Sequence, residues 1–350
     1  MTWIAAVHGV LPPNRYPQSE LTDLAARTFL PEGADRRLLD RLHAGARVEQ
    51  RHLALPLDQY AKLDGFGAAN DVFVSTAVEL GAEAVGAALD EAGLSPADVD
   101  LFMFTSVTGV AAPSVEARVA GLLGMRPDIK RIPVFGLGCV AGAAGIARLH
   151  DYLLGWPDHV AVLLSVELCS LTLQRGDAST ASLVASSLFG DGAAAVVACG
   201  SGREGSGPSV VATRSHLYPG SEQVMGWEVR DSGFGVVLDA RVPEVVRTYL
   251  ADDVHGFLAD HGLTAGEVTA WVCHSGGPKV LDAVADALDL PPEALELTWR
   301  SLAANGNLSS ASVLHVLRDT LRLRPPRPGT AGLLIAMGPG FCSELVLLRW

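Results

Sequence analysis

The run Val134-Phe-Gly-Leu-Gly-Cys-Val-Ala-Gly-Ala-Ala-Gly145 sets Cys139 where a short apolar stretch meets a segment of very small residues. A thiol there sits at a helix N-terminus, where the positive end of the macrodipole and free backbone N–H groups favour thiolate over thiol. Glycines on either side permit a sharp turn and leave the sulfur uncovered. A covalent nucleophile is built this way, but a buried structural cysteine in a Gly/Ala-rich helix has the same local sequence, so partners elsewhere must decide. Two other residues could supply them. His274 lies in Cys273-His-Ser-Gly-Gly-Pro-Lys279 and Asn307 in Asn305-Gly-Asn-Leu-Ser-Ser310. Alone, the first reads as a core histidine and the second as a turn residue.

The elements that must position these residues recur along the chain. Apolar periodicity gives short strands alternating with helices, the signature of an α/β fold with a mixed sheet. In the first half the spacing predicts a strand at 100–106, a helix at 114–123, a strand at 132–135, a helix at 140–154 and strands at 160–166 and 193–199. The second half repeats the order: strand 269–274, helix 278–288, strand 296–299, helix 309–321, then strands 331–337 and 344–349. In these elements each half reads βαβαββ, with the division placed between residues 215 and 216. Cys139 and Asn307 then precede equivalent helices, and a pseudo-twofold relation brings their loops together. His274 ends a strand at the carboxyl edge, where α/β sheets place their sites. In that setting the three residues support one another as a catalytic group.

Bulk properties limit the partners. The 350-residue chain is 49% hydrophobic and 19% charged and carries a formal net charge of -13. That excess of acid disfavours nucleic acid and anionic membranes, whose binding relies on Lys and Arg. No apolar run approaches a bilayer span, and residues 1–10 lack the layout of a signal peptide, so a cytoplasmic protein with no membrane insertion is expected. Five cysteines without a CxxC pair argue against a disulfide framework or a metal site. Arg36, Arg37, Arg41, Arg47 and Arg51 form a local basic segment that suits a small polyanion such as coenzyme A, or else a solvated helix face.

Five motifs in order, Gly138-Cys139-Val-Ala-Gly142, Phe189-Gly-Asp-Gly-Ala-Ala194, Cys273 to Lys279, Asn305 to Ser310 and Gly338-Pro-Gly340, resemble the type III polyketide synthases, the chalcone synthase-like family. The resemblance spans nearly the whole chain. It implies the thiolase fold, with duplicated βαβαβαββ halves forming a five-layered αβαβα arrangement, and a homodimer. It implies that Cys139 loads an acyl-CoA starter and that His274 and Asn307 stabilise the enolate formed when malonyl-CoA loses carbon dioxide. His274 as imidazolium is further expected to lower the pKa of Cys139. No cofactor beyond the CoA thioester substrates and no metal is implied. By position, Phe189 matches a gatekeeper phenylalanine, and Cys169, Thr172 and Ser309 match cavity positions. Gly338, Pro339 and Gly340 match the loop shaping the cavity floor, and Arg41 a basic residue at the CoA entrance. Val236 falls where relatives carry a second gatekeeper phenylalanine, unless a two-residue slip puts Phe234 there. Ala112 falls where plant enzymes project a methionine between subunits. A wider cavity would suit a fatty acyl starter and an alkylresorcinol or alkylpyrone product. A malonyl-primed tetrahydroxynaphthalene synthase, a ketoacyl synthase III-like condensing enzyme and a non-catalytic acyl-CoA-binding module are the alternatives.

Overall fold

Two strands at the centre of the molecule, Val160–Leu168 and Asp191–Gly200, are buried at every residue. A strand loses its polar alternation when helices cover both of its faces. The computed structural model describes residues 1–350 except Glu32, Gly33, Glu204 and Ser206. In chain order the strands are β1 (Thr2–Val10), β2 (Asn14–Pro17), β3 (Gln50–Leu53), β4 (Leu101–Thr105), β5 (Lys130–Val134), β6 (Val160–Leu168), β7 (Asp191–Gly200), β8 (Ser209–Leu217), β9 (Met225–Arg230), β10 (Gly233–Leu238), β11 (Val268–Cys273), β12 (Ala331–Gly338) and β13 (Cys342–Arg349). The helices are α1 (Gln18–Phe29), α2 (Arg37–Gly45), α3 (Leu57–Tyr60), α4 (Gly65–Ala92), α5 (Val115–Leu123), α6 (Ala141–Gly155), α7 (Thr180–Leu188), α8 (Val242–Asp260), α9 (Pro278–Leu288), α10 (Glu296–Asn305) and α11 (Ser310–Leu323).

Nine strands join in the order β11-β12-β13-β8-β1-β7-β6-β4-β5, and the pairs β2-β3 and β9-β10 stand apart. The long sheet is really two, because β1 and β8 meet only at Thr2 with Val210 and Trp3 with Ser209. Three separate cores define five layers. Phe73, Ala77 and Val85 of α4 pack on Phe102, Val162 and Val197. Ile146 of α6 and Leu314 of α11 lie between Leu163 and Val196 on one side and Leu334 and Val346 on the other. Leu250 of α8 and Leu281 of α9 cover Leu333 and Leu345. Successive residues such as Val162 and Leu163 thus belong to different cores, as the two-residue period of a strand requires. The arrangement is the αβαβα layering of the thiolase fold. α4 is long and apolar enough to cross a bilayer, yet Phe73, Ala77, Ala84 and Val85 are fully buried against the sheet.

The expected strand at 296–299 is instead the first turn of α10. Its buried residues, Thr298, Ser301, Leu302 and Asn305, recur at helical spacing, and four residues were too few to reveal that period. The second half therefore lacks a counterpart to β5, and β11 is the outermost strand on that side. The expected division after residue 215 falls within β8, which runs antiparallel to β13 from Ser209 to Leu217.

Candidate active site

Cys139 lies in a single 3-10 turn, Gly138–Val140, that feeds α6. Gly138 has φ 56, and a Cβ there would stand 2.6 Å from Pro339 Cδ, so neither the conformation nor the space admits a side chain. One turn on, a Cβ at Gly142 would lie 2.3 Å from Ser310 O. The small residues of α6 thus let it press directly against α11, which brings the start of one helix beside the start of the other.

The loop before α11 carries Asn307 and Ser309. Asn307 Oδ1 accepts hydrogen bonds from Ser309 N at 2.8 Å and Ser312 Oγ at 3.3 Å, and its Nδ2 donates to Gly276 O at 3.3 Å. Ser309 is held at φ 47 and ψ -127, a strained conformation for a residue with a Cβ. Its Oγ lies 3.6 Å from Cys139 Sγ. Asn307 also forms a backbone bridge with Phe189, through Asn307 N to Leu188 O at 2.8 Å and Gly190 N to Asn307 O at 3.0 Å. His274 extends β11, its N–H donating to Ile335 O, and its imidazole carbons pack on Gly276. A continuous set of contacts runs from Cys139 through Ser309, Asn307 and Gly276 to His274.

Burial sets the charge state of this group. It pushes the Cys139 thiol up to about 12, against the Ser309 hydrogen bond that favours thiolate, and the nearby Glu167 carboxylate acts with burial. It pulls the His274 imidazole down to about 4. Nδ1 of His274 is buried with no hydrogen-bond partner among the described residues. The expected lowering of the cysteine by an imidazolium is therefore reversed: water is excluded from both groups, and burial penalises whichever form is charged.

An apolar cavity of about 70 Å³ opens on the sulfur. Of the residues expected to line it, Cys139, Cys169, Thr172, Phe189, Val236, Ser309 and Pro339 do so. Phe234 does not; it is buried in an aromatic cluster with Phe66, Phe135 and Trp227. Gly338 lies behind the wall, where a Cβ would meet Cys139 N at 3.2 Å, and Gly340 packs on Leu217. His274 and Asn307 are not on the cavity surface and adjoin it through Ser309 and Phe189. Arg41 is exposed on α2 and away from the cavity, and Ala112 is also exposed. The basic segment does not form one surface. Arg36 and Arg37 pair with Asp23, Asp40 and Asp35, Arg47 stacks on Trp299, and Arg51 is buried with Nη1 donating to Phe189 O at 2.7 Å.

Two residues escaped the sequence reading. Trp227 lies directly across the β9-β10 hairpin from Val236, and both line the cavity, so the ring missing at 236 is supplied from its neighbour. Glu167 is fully buried in β6. Its Oε2 accepts from Val107 N and Thr108 Oγ1 at 3.1 Å and from Ser106 Oγ at 3.3 Å, and its Oε1 from Ser310 Oγ at 2.5 Å. A lone carboxylate inside the apolar run from Val160 to Leu168 was its signal.

The chain matches the family models for the N-terminal domain of chalcone and stilbene synthases over residues 2–202 and for the C-terminal domain over 209–350. It is 62% identical to a 1,3,6,8-tetrahydroxynaphthalene synthase of Streptomyces peucetius, covering 100% of this chain and 93% of that one. It is 30% identical to a phloroglucinol synthase of Pseudomonas fluorescens, covering 100% and 99%. The crystal structure of the tetrahydroxynaphthalene synthase of Streptomyces coelicolor superposes with a TM-score of 0.94 at 32% identity over 99% of both chains. The fold, the shared motifs and these matches agree: the chain belongs to the chalcone and stilbene synthase family, and it is a type III polyketide synthase, an acyltransferase that works by decarboxylative Claisen condensation.

Proposed function

We propose that this enzyme is primed by malonyl-CoA and builds the ten-carbon skeleton of 1,3,6,8-tetrahydroxynaphthalene from five malonyl units. The observation that carries this reading is Trp227, whose place opposite Val236 narrows a cavity that Val236 alone would have widened for a fatty acyl chain. The 62% identical relative, a 1,3,6,8-tetrahydroxynaphthalene synthase, points the same way. Incubation with malonyl-CoA alone, followed by mass spectrometry, should yield C10H8O4. A requirement for a second, longer acyl-CoA and an alkylresorcinol or alkylpyrone product would overturn it.

In this reading His274 takes the Cys139 proton as the sulfur attacks the thioester carbonyl, and passes it to the departing CoA thiolate. The loading step ends with a thioester on Cys139, free CoA and a neutral imidazole again. Malonyl-CoA then loses carbon dioxide, and the uncharged His274 and the Asn307 amide donate to the enolate oxygen, each donor being worth about 3 kcal/mol where water is excluded. The enolate carbon attacks the Cys139 thioester, and the lengthened chain returns to the thiol. The low pKa of His274 favours this second role, because a neutral imidazole can donate without protonating the carbanion.

A homodimer is supported by β5. It is an outermost strand, exposed along most of its length, with Ile132 41% exposed and Phe135, one residue beyond its end, 51% exposed. An apolar edge of this kind is normally paired or covered. Light scattering on the purified chain tests this. A cytoplasmic location follows from its CoA thioester substrates.

A further inference from the structure

A second cavity, about 340 Å³, lies between α10 and α11, and none of its lining residues borders the cavity on Cys139. Arg300, Arg318 and Arg322 line it together with Ser301, Asn305 and Asp319. Ser301 is 2% exposed, and its Oγ has no hydrogen-bond partner among the described residues. Asn305, 7% exposed, lines the same space beside it. Buried polar groups are rarely left in this state without a ligand or water to receive them.

The charge balance is positive. Arg300 makes no ion pair among the described residues. Arg318 is held by Asp319, with Nε and Nη2 at 2.9 and 2.7 Å from Oδ1, while its Nη1 makes only a long contact of 3.4 Å to Gly9 O. Arg322 is tethered to Glu91, beside His8. Three guanidinium groups, a hydroxyl and an amide thus surround one space; Asp319 and Glu91 each offset one of the three charges, which leaves that of Arg300 unpaired among the described residues. Planar guanidinium forks and small neutral donors match the many acceptor positions of a phosphate oxyanion.

We propose that this cavity binds a phosphate or pyrophosphate group, with Arg300 and Arg318 supplying charge and Ser301 and Asn305 donating to its oxygens. α10 ends at Asn305 and α11 starts at Ser310, so the bound anion would clamp the two helices that flank the Asn307 loop. The site is separate from the CoA entrance expected at Arg41, and its test does not depend on which starter the enzyme uses.

Pyrophosphate titrated into the full-length enzyme by calorimetry at constant ionic strength should show one saturable site. Arg300→Glu should weaken it by about tenfold or more, a difference that calorimetry resolves easily. Ser301→Ala should weaken it less, and Arg41→Glu should leave it unchanged. Retained condensation activity in Arg300→Glu would show that the fold persists. ADP in the same titration distinguishes a free anion from a phosphate carried on a nucleoside, tighter binding than pyrophosphate identifying the latter. No saturable binding, or binding lost in Arg41→Glu but kept in Arg300→Glu, would overturn the proposal.

Discussion

The two halves of the molecule place the same elements around the site and fill them with opposite chemistry. β4 runs parallel to β6 with Thr105 beside Ser165, and β11 runs parallel to β12 with Cys273 beside Ile335. Two residues further on, β6 presents Glu167 and β12 presents Met337. In the first half the carboxylate gathers Ser106, Val107, Thr108 and Ser310 into a closed network in which every group is satisfied. At the equivalent place in the second half Met337 offers no acceptor, and the His274 imidazole keeps a nitrogen unpartnered among the described residues. Buried polar networks rigidify when complete, and unsatisfied groups are the ones left for chemistry. One half holds the framework, and the other leaves its polar groups available to substrate.

The sharpest way to separate the halves is to remove one contribution at a time. Cys139→Ala should lower polyketide formation by roughly a thousandfold or more while sparing malonyl-CoA decarboxylation, whereas Asn307→Ala should lose both. Loss of decarboxylation in Cys139→Ala would show that the thiol and the oxyanion donors do not act separately. Carrying the second half's choice into the first, Glu167→Met strands Val107 N and weakens the hydroxyl network of Ser106, Thr108 and Ser310, and with each unmet buried donor costing about 1–3 kcal/mol a large drop in the urea midpoint is expected. Met337→Leu, a swap of similar volume, should cost less than about 1.5 kcal/mol. Equal losses in the two variants would mean that the polar network is not what holds the first half. Gly142→Ala drives a methyl into Ser310 O and should cost about 1–3 kcal/mol by parting α6 from α11, with a fall in activity larger than the fall in stability explains. Unchanged melting and turnover would show that the helices have room to spare. The smallest effect is one of pH: because burial raises the thiol to about 12, alkylation of Cys139 by iodoacetamide in the free enzyme should keep rising through the alkaline range. A rate already level below pH 7 would mean that His274 holds the sulfur as an ion pair.

Much of the fold was legible because the apolar period differs between strand and helix, and because the order of elements repeats. β4, α5, α6, β6, β11, α9 and α11 lie within a few residues of the ranges read from that period. α10 was not legible: Glu296 to Trp299 is too short to show a period, and what decides it is the burial of Leu302 and Asn305 one turn later. Val236 lines the cavity as expected, but the width read from it lacked a term for a related reason. A single position was weighed without its cross-strand neighbour, and Trp227 is a neighbour only once β9 and β10 pair. Glu167 was visible as an oddity in an apolar strand, but its partners come from β4, the loop after it and α11.

By itself the amino-acid sequence determined the layered architecture and the family and singled out Cys139, His274 and Asn307 as the candidate site, since each rests on local residue type, spacing or motif order. The tertiary structure alone decided what those residues experience. The closeness of α6 and α11, the strained turn at Ser309, the size of the cavity and the neutral resting state of thiol and imidazole all depend on which surfaces exclude water together. Burial is a property of the assembled layers, and no segment of this chain carries it alone.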